Sequence, residues 1–487
     1  MIDNFNDQLK RTGEVGYVEE IREPIIYVSG LPTVKPGETV LFESGGIGQT
    51  LGLGENNLEI LTLFPKLPDI GTRITRSGDY IKVPVTTDLL GKIVDPLCTI
   101  LNGEDKHLDS NEYRPIDSVP LGIKFRKRIT VALETGVSVV DLLIPLGKGQ
   151  RELVIGDRKT GKTSFLRQTV LNQAKKGLVC IYCAIAKKVA DIKEIETYFS
   201  QQGVASKVVM VATFATDPAG LIFLSPYTAM TIAEYFRDQG QDVLVVLDDL
   251  TTHAKYYREI SLVARRFPGR ESYPGDIFYI HSRLLERAGN FDIAGREVSI
   301  SCLPVAESIE ADLTGYIQTN LMSMTDGHIF FDNDLFVKGR RPAINPFISV
   351  TRVGHQTQKQ VRRDIYREVS TMLTLFEKSE SYTHFSSDIS LAMKVTLATG
   401  QRLVDFFSQS PGKNFPTNAQ TILFALLWVD FWHGDNAKMK IDMDKLTILY
   451  FSQQKVHDYF DTLAQSGSFN ELLGKIKDNQ FLAGLVS

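Results

Sequence analysis

The chain has 487 residues and a formal net charge of −4, with 43% hydrophobic and 23% charged residues. This length is enough for two to four domains with their own cores, and the composition is ordinary for globular protein. The small negative charge provides no basic footprint, which argues against nucleic acid as a partner. No apolar run approaches the roughly 18 residues that span a membrane, and the first residues do not resemble a secretory signal.

Three regions of the chain carry different patterns of apolar residues. In residues 1–77, short apolar runs alternate with Gly and Pro turns, which predicts a small antiparallel β-barrel or sandwich. In residues 78–355, strand-like runs alternate with helical stretches, which predicts a doubly wound α/β domain with a largely parallel sheet. In residues 356–487, apolar residues recur at i+3 and i+4, which predicts a helical domain.

Cys180 and Cys183 form a C-x-x-C pair inside the apolar run 178–185. Residues three apart on a strand face opposite sides of the sheet, and no second Cys or His pair lies nearby in the sequence. We therefore interpret both cysteines as buried core residues, in preference to a metal or redox site.

The most informative stretch matches the phosphate-binding pattern G-x-x-x-x-G-K-[ST]. An apolar strand-like run at 152–155 precedes it, and a helical-looking segment at 164–170 follows. A glycine loop between a strand and a helix directs backbone N–H groups and the positive end of the helix dipole at an anion. The loop therefore predicts binding of Mg-ATP or ADP, with the lysine on the outer phosphates and the last threonine on Mg²⁺. Its residues are Gly156, Asp157, Arg158, Lys159, Thr160, Gly161, Lys162 and Thr163.

A carboxylate is expected to complete the metal site. The apolar run 243–247 ends in Asp248 and Asp249, which is the Walker B arrangement. Asp248 is the better candidate to hold the water shell of Mg²⁺. The alternative is a strand that simply ends in solvated acids.

Further motifs resemble the alpha subunit of F-type ATP synthases, and the similarity covers nearly the whole chain. They are R-R-F-P-G-R-E-S-Y-P-G-D at 265–276, H-S-R-L-L-E-R at 281–287, Y-I-Q-T-N at 316–320, T-D-G at 325–327 and R-P-A-I-N at 341–345. The resemblance implies an N-terminal β-barrel, a central RecA-like P-loop domain and a C-terminal helical domain.

The residue at position 187 bears on catalysis. Beta-type catalytic subunits of this family carry a glutamate at the end of the strand after the P-loop helix, and it polarises the attacking water. The resemblance implies glutamine at this position in alpha subunits, whereas this chain has Lys187. An ammonium does not accept a proton from water at neutral pH, although it can pair with a phosphate. We therefore predict a nucleotide-binding but non-hydrolytic site. The alternative is an ordinary exposed loop lysine.

The segment S-V-T-R-V-G at 349–354 resembles the family's arginine-finger motif, usually S-V-S-R-V-G. By this resemblance Arg352 acts on ATP held by a neighbouring beta-type subunit, and Ser349 is an adjacent interface position. A guanidinium offers a planar fork of donors suited to a transferring phosphoryl group. Considered alone, Arg352 would be a surface salt-bridge former.

The resemblance also assigns Arg341 to the nucleotide base. Alpha subunits supply glutamines to the base from a K-Q-x-Q-type segment, and at 408–414 this chain keeps only Gln409. Lys159 replaces the usual glutamine inside the P-loop. We expect fewer base contacts and firmer polyphosphate binding than in the family at large.

The resemblance implies a non-catalytic subunit that alternates with catalytic beta-type subunits in a hexameric ring around a central gamma-type shaft. The membrane rotor is then an indirect partner, the complex lies at the cytoplasmic face of the inner membrane, and its ATP chemistry is coupled to proton transport. Family alpha subunits carry an N-terminal helix that anchors the stator. Only residues 1–12 precede the predicted barrel here, so we expect the usual stator attachment to be absent or different.

Two other functions remain as alternatives. A self-sufficient homohexameric ATPase of the secretion type requires a glutamate near position 187. A structural nucleotide-binding subunit of a repurposed motor without ion transport is compatible with the sequence.

Overall fold

The computed structural model describes residues 4–54, 57–103, 108–383, 390–410, 412–477 and 479–486. The chain forms two compact units, and neither is continuous in sequence. The first unit comprises Met1–Arg128, Ala174–Ser308 and Asp312–Thr325. The second comprises Ile129–Gln173, Ile309–Ala311 and Asp326–Ser487.

The first unit begins with helix α1 (Phe5–Thr12) and a closed barrel of strand order β1-β2-β5-β4-β3-β6. Its strands are β1 (Gly16–Arg22), β2 (Ile25–Gly30), β3 (Glu38–Phe42), β4 (Ile47–Leu53), β5 (Leu58–Thr62) and β6 (Arg73–Tyr80). Buried β-branched and aromatic side chains such as Val28, Val40, Phe42 and Ile60 fill its core, as expected for a closed barrel whose strands alternate inward and outward. The predicted N-terminal β-barrel is thus confirmed.

The first unit also holds a parallel sheet of order β17-β15-β13-β14-β8. In chain order these are β8 (Ile93–Val94), β13 (Val179–Lys187), β14 (Val208–Phe214), β15 (Val243–Asp248) and β17 (Arg296–Glu307). Strand β16 (Gly289–Ile293) pairs antiparallel with β17, and β7 (Lys82–Pro84) pairs with β9 (Tyr113–Pro115). The helices are α4 (Val189–Gln201), α5 (Ala219–Asp238), α6 (Leu250–Val263), α7 (Ile277–Leu285) and α8 (Tyr316–Met324). The predicted parallel α/β core is confirmed.

In the second unit, β12 (Leu153–Gly156) lies parallel to β18 (Gly327–Phe331), which pairs antiparallel with β19 (Val350–Thr351). Strands β10 (Ala132–Leu133) and β11 (Leu146–Gly147) form a small ribbon. The helices here are α2 (Ser138–Leu143), α3 (Lys162–Lys175) and α9 (Asn333–Val337).

The C-terminal part of the second unit is helical, as predicted. Its helices are α10 (Gln360–Thr383), α11 (Leu391–Phe407), α12 (Thr417–Trp428), α13 (Asn436–Ser452), α14 (Gln454–Leu463), α15 (Phe469–Ile476) and α16 (Gln480–Val486). Across the described ranges, every helix is too short or too polar to cross a membrane.

Cys180 and Cys183 lie on β13 with their side chains fully buried. Burial raises the pKa of both thiols, which keeps them protonated and unreactive. The interpretation as core residues is confirmed.

The first unit contains a buried pair of histidines. His253 on α6 and His281 on α7 are buried, with 3.1 Å between His253 Nδ1 and His281 Nε2. Burial lowers the pKa of His253 from 6.5 to about 4, and it lowers the pKa of His281 well below 6.5 with help from His253. Both rings are therefore neutral in the folded protein and take up protons more readily once it unfolds.

We expect the free energy of unfolding to decrease as the pH falls from 6.5 towards 4. His253 alone contributes about 3 kcal/mol of this loss, because each unit of pKa difference corresponds to about 1.4 kcal/mol. Unfolding followed between pH 7 and 4.5 measures the slope, which His253→Gln should reduce. The exposed His433 is the control, since His433→Asn should leave the slope unchanged. Equal slopes for all three proteins would contradict the prediction.

Candidate nucleotide-binding site

The glycine loop occupies the place that the sequence predicts for it. Strand β12 ends at Gly156, and helix α3 begins at Lys162. Gly161, with φ +104°, has a backbone conformation that other residues rarely adopt. The amide of Phe165 donates to the carbonyl oxygen of Gly161 at 3.1 Å, and the earlier N–H groups of a helix have no partner within it. The loop thus places the start of a 14-residue helix behind a turn suited to a phosphate.

Lys162 is buried against the backbone of the loop, with 9% of its surface exposed. Its Nζ donates to the carbonyl oxygens of Gly156 at 2.7 Å and Asp157 at 2.6 Å. Thr160 Oγ1 also donates to the Asp157 carbonyl, at 2.7 Å. These bonds hold the ammonium within the loop, where phosphate oxygens can replace the carbonyl acceptors.

Of the remaining loop residues, one bonds a neighbouring segment of the chain and three are exposed to solvent. The Asp157 carboxylate accepts from the amide of Ala311 at 3.1 Å, which ties the loop to the segment Ile309–Ala311 of the same unit. Arg158, Lys159 and Thr163 are exposed. The Thr163 hydroxyl, in the first turn of α3, is therefore open to a metal ligand role.

Arg341 borders an open pocket in the same unit. Apolar side chains line this pocket, among them Pro342, Ile344, Leu373, Val404 and Phe407. The Arg341 guanidinium lies 3.6 Å from the ring centroid of Phe336 and donates to the Phe336 carbonyl at 2.8 Å. The pocket holds only about 40 Å³, which is too little to enclose a nucleotide base, so a contact between Arg341 and a base stays a prediction.

Gln409 is buried and bonded to the backbone of its own unit. Its Oε1 accepts from the amide of Ser138 at 3.0 Å, and its Nε2 donates to the carbonyl oxygen of Gly136 at 2.7 Å and to that of Lys413. The Gln409 amide N–H also donates to the Arg341 carbonyl, at 2.6 Å. Gln409 therefore supports the segment beside Arg341, and its side-chain amide is hydrogen-bonded to backbone groups of the protein. Direct contact between Gln409 and a base stays a prediction.

In the first unit, the ends of β13 and β15 bring Lys187 and Asp248 together. The Lys187 Nζ lies 2.8 Å from Asp248 Oδ1 and 3.8 Å from Asp249 Oδ2. Tyr182, also on β13, donates its hydroxyl to Asp248 Oδ2 at 2.8 Å. Burial by itself would lower the pKa of Lys187, but the charges of Asp248 and Asp249 raise it above its usual value.

Lys187 is therefore not a solvated loop lysine, since 22% of its side chain is exposed and its charge is paired. The sequence predicts a phosphate as the partner of Lys187 and does not directly indicate Asp248. This ion pair could have been predicted from the sequence, because β13 and β15 are both strands of a parallel sheet and their carboxyl ends carry opposite charges. Tyr182 gave no sequence signal at all.

Asp249 has a structural role at the next helix. It is the N-cap of α6, and its carboxylate accepts from the amide of Thr252 at 2.6 Å and from its hydroxyl at 3.0 Å. Burial raises the pKa of Asp249, an effect that Lys187 partly offsets. Asp248 rather than Asp249 is thus the acid at the strand end that is not committed to a helix cap.

The two residues predicted to bind Mg²⁺ lie in different units, Thr163 in the second and Asp248 in the first, so a shared Mg²⁺ site stays a prediction. Among the described residues, no group of three or more His, Cys, Asp or Glu side chains could hold a metal on its own. Mg²⁺ bound to nucleotides usually takes one or two protein ligands plus phosphates and waters. The exposed Thr163 hydroxyl fits such a ligand set. The Asp248 carboxylate, with about four acceptor positions of which Lys187 and Tyr182 use two, retains room for a metal-bound water.

Arg352 is exposed, and hydrogen bonds within the second unit hold the turn in which it lies. Its amide donates to the Asp326 carbonyl at 2.9 Å. In the residue before it, Thr351 Oγ1 donates to the Pro145 carbonyl at 3.0 Å and accepts from the amide of Gly354 at 3.1 Å. Ser349 is buried, and its Oγ donates to the Asn345 carbonyl at 2.6 Å. Ser349 therefore shapes the finger segment, and an interface role for it stays a prediction.

The comparisons with known proteins agree with these features. The model of the ATP synthase alpha/beta family, nucleotide-binding domain, matches residues 136–351. The chain is 40% identical over 428 residues to the ATP synthase subunit alpha of Macrococcus caseolyticus (strain JCSC5402), over 87% of this chain and 84% of the relative. Because this identity extends over most of both proteins, the chain belongs to the ATP synthase alpha/beta family, as an alpha subunit of the F-type.

Proposed function

We propose that this chain is a non-catalytic alpha subunit, which binds Mg-ATP statically and lends Arg352 to an adjacent catalytic beta-type subunit. The observation that carries the proposal is the ion pair between Lys187 Nζ and Asp248 Oδ1, at 2.8 Å. Hydrolysis requires a group that orients water and accepts its proton. The residue at the end of β13 is instead a cation whose raised pKa keeps it protonated.

The proposed nucleotide contacts follow from the residues described above. Lys162 and the loop amides bind the phosphates, with Arg158 and Lys159 adding positive charge at the exposed side of the loop. Mg²⁺ neutralises phosphate charge, and we assign its direct protein contact to Thr163 and a water-mediated contact to Asp248. We assign the contact with the base to Arg341.

Family membership supports a proposal for the complex to which the chain belongs. We propose that the chain alternates with beta-type subunits in a hexameric ring around a gamma-type shaft, at the cytoplasmic face of the inner membrane. The complex as a whole would couple ATP synthesis or hydrolysis to proton transport through its membrane rotor. The Macrococcus relative is an ATP synthase subunit alpha, which supports such a complex.

The isolated chain is expected to bind ATP and to hydrolyse it negligibly. Lys162→Ala should weaken ATP binding by about 2–5 kcal/mol, that is about 30-fold or more, because it removes the buried charge that faces the phosphates. Titration calorimetry measures the affinity, and phosphate release measures turnover in the same samples.

The matched control is Lys159→Gln, which removes one charge from the exposed side of the same loop and introduces the residue usual in alpha subunits. It should weaken binding far less than Lys162→Ala, because an exposed charge is screened by solvent. Rapid hydrolysis by the isolated chain, abolished by Lys162→Ala, would reject the proposal and favour the self-sufficient homohexameric ATPase.

A further inference from the structure

The side-chain amide of Gln409 is committed to the backbone around it. Its Nε2 carries two N–H donors, and both are used, one on the carbonyl oxygen of Gly136 at 2.7 Å and one on that of Lys413. Its Oε1 accepts from the amide of Ser138 at 3.0 Å, and only 4% of the residue is exposed. Both donors of this amide are therefore unavailable to a nucleotide base.

A second glutamine holds the same two carbonyl groups. Gln168 on helix α3 is buried, and its Nε2 donates to the carbonyl oxygen of Gly136 at 3.3 Å and to that of Lys413. The Lys413 ammonium forms an ion pair with Asp444 on α13. A rotation of the Gln409 amide towards a ligand would break its three hydrogen bonds to this anchored backbone, which costs free energy at a buried position.

Arg341 offers a base a flat face rather than a pattern of hydrogen bonds. Its guanidinium carbon lies 3.6 Å from the centroid of the Phe336 ring, so one face of the guanidinium covers that ring. Its Nη1 donates to the carbonyl oxygens of Phe336 at 2.8 Å and Arg340 at 2.7 Å. A guanidinium stacks on any aromatic base, because every base has a π-face. The small pocket beside Arg341 cannot enclose a base, so its shape does not select one either.

Adenine and guanine differ in their hydrogen-bonding groups, since adenine carries an amino donor where guanine carries a carbonyl acceptor. A site that hydrogen-bonds such a group rejects the wrong ligand by a factor of about 10⁴–10⁵, whereas apolar contacts discriminate far less. Arg341 has donors only, so its side chain cannot accept from the amino group of adenine. Gln409, the residue that sequence resemblance assigns to the base, is bonded within the protein.

We propose that this site binds purine nucleoside triphosphates without distinguishing adenine from guanine, and that GTP is a ligand alongside ATP. The inference rests on the proposed nucleotide binding and deepens it. Lys162 and the exposed Lys159 are assigned to the phosphates, which both nucleotides share. Arg341 stacks on either purine, and Gln409 has a structural role.

Titration calorimetry of the isolated chain with Mg-ATP and with Mg-GTP tests the proposal. We expect the two dissociation constants to agree within about fivefold, because the phosphates and a stacked guanidinium contact both ligands alike. A difference larger than this, in either direction, would overturn the proposal.

Two variants test the roles of the individual side chains. Arg341→Ala should weaken the binding of ATP and GTP by the same factor, and unequal factors would contradict stacking on either purine. Gln409→Ala should lower the melting temperature of the chain, because it removes three hydrogen bonds, and should leave the ratio of the two dissociation constants within about twofold of the wild type. A larger change in that ratio would show that Gln409 reads the base. If Gln409→Ala does not fold, the wild type and Arg341→Ala still decide.

The same titrations separate this inference from the function on which it rests. If the chain binds ATP without hydrolysing it and binds GTP more than about fivefold more weakly, the inference fails and the proposed function stands. If the chain hydrolyses ATP rapidly, the proposed function fails. If it binds neither nucleotide, both fail.

Discussion

Replacing Arg352 by alanine in the assembled complex is expected to lower ATP turnover by a factor of about 10³–10⁵. An arginine delivered across a subunit interface stabilises the charge that develops on the transferring phosphoryl group. Arg352 suits this role because its side chain is exposed while the backbone of its turn is fixed by Asp326 and Thr351. Steady-state hydrolysis by the purified complex measures the effect.

Two further variants sharpen this experiment. Arg352→Lys keeps the charge but not the planar fork of donors, and should recover little of the lost turnover. Arg363→Ala removes an exposed arginine on the nearby helix α10 and should leave turnover close to that of the wild type. ATP binding to this chain should be unaffected in all three variants. Unchanged turnover in Arg352→Ala would remove the finger role.

The largest expected effect on stability is at Arg287. This side chain is 1% exposed, and its Nε and Nη2 bind the two oxygens of Glu234 at 3.0 and 2.6 Å. It also donates to the Ile116 carbonyl and the Thr231 hydroxyl, each at 2.8 Å. Arg287→Ala should lower the free energy of unfolding of the first unit by about 3–5 kcal/mol, because it leaves the buried Glu234 with only the Ser118 hydroxyl, at 3.0 Å, and the more distant Arg237, at 3.9 Å.

Chemical unfolding of the isolated chain measures this loss. Arg283→Ala is the matched control, because Arg283 forms a more exposed ion pair with Asp117, at 3.1 Å, and such pairs contribute about 0–1 kcal/mol. Replacing Arg287 and Glu234 together by apolar residues should recover much of the stability, since no unpaired charge then remains buried. A loss in Arg287→Ala no greater than in Arg283→Ala would contradict the prediction.

The sequence by itself predicted the features whose signals are local. The predictions of the barrel, the parallel α/β core and the C-terminal helices were correct, because the periodicity of apolar residues reflects which face of an element is buried. The glycine loop was placed correctly between β12 and α3, because its spacing is set by backbone geometry within eight residues. The resemblance to alpha subunits likewise depended on contiguous motifs, and the comparisons confirm it.

Only the tertiary structure decided which partners these side chains have. Lys187 is paired with Asp248, 61 residues away in sequence, and Gln409 is bonded to the backbone of Gly136, 273 residues away. Hydrogen bonds and ion pairs depend on distances of about 3 Å between atoms, and strand order and chain crossings set those distances. A single sequence records the identity of each residue but not which distant residue the fold brings beside it.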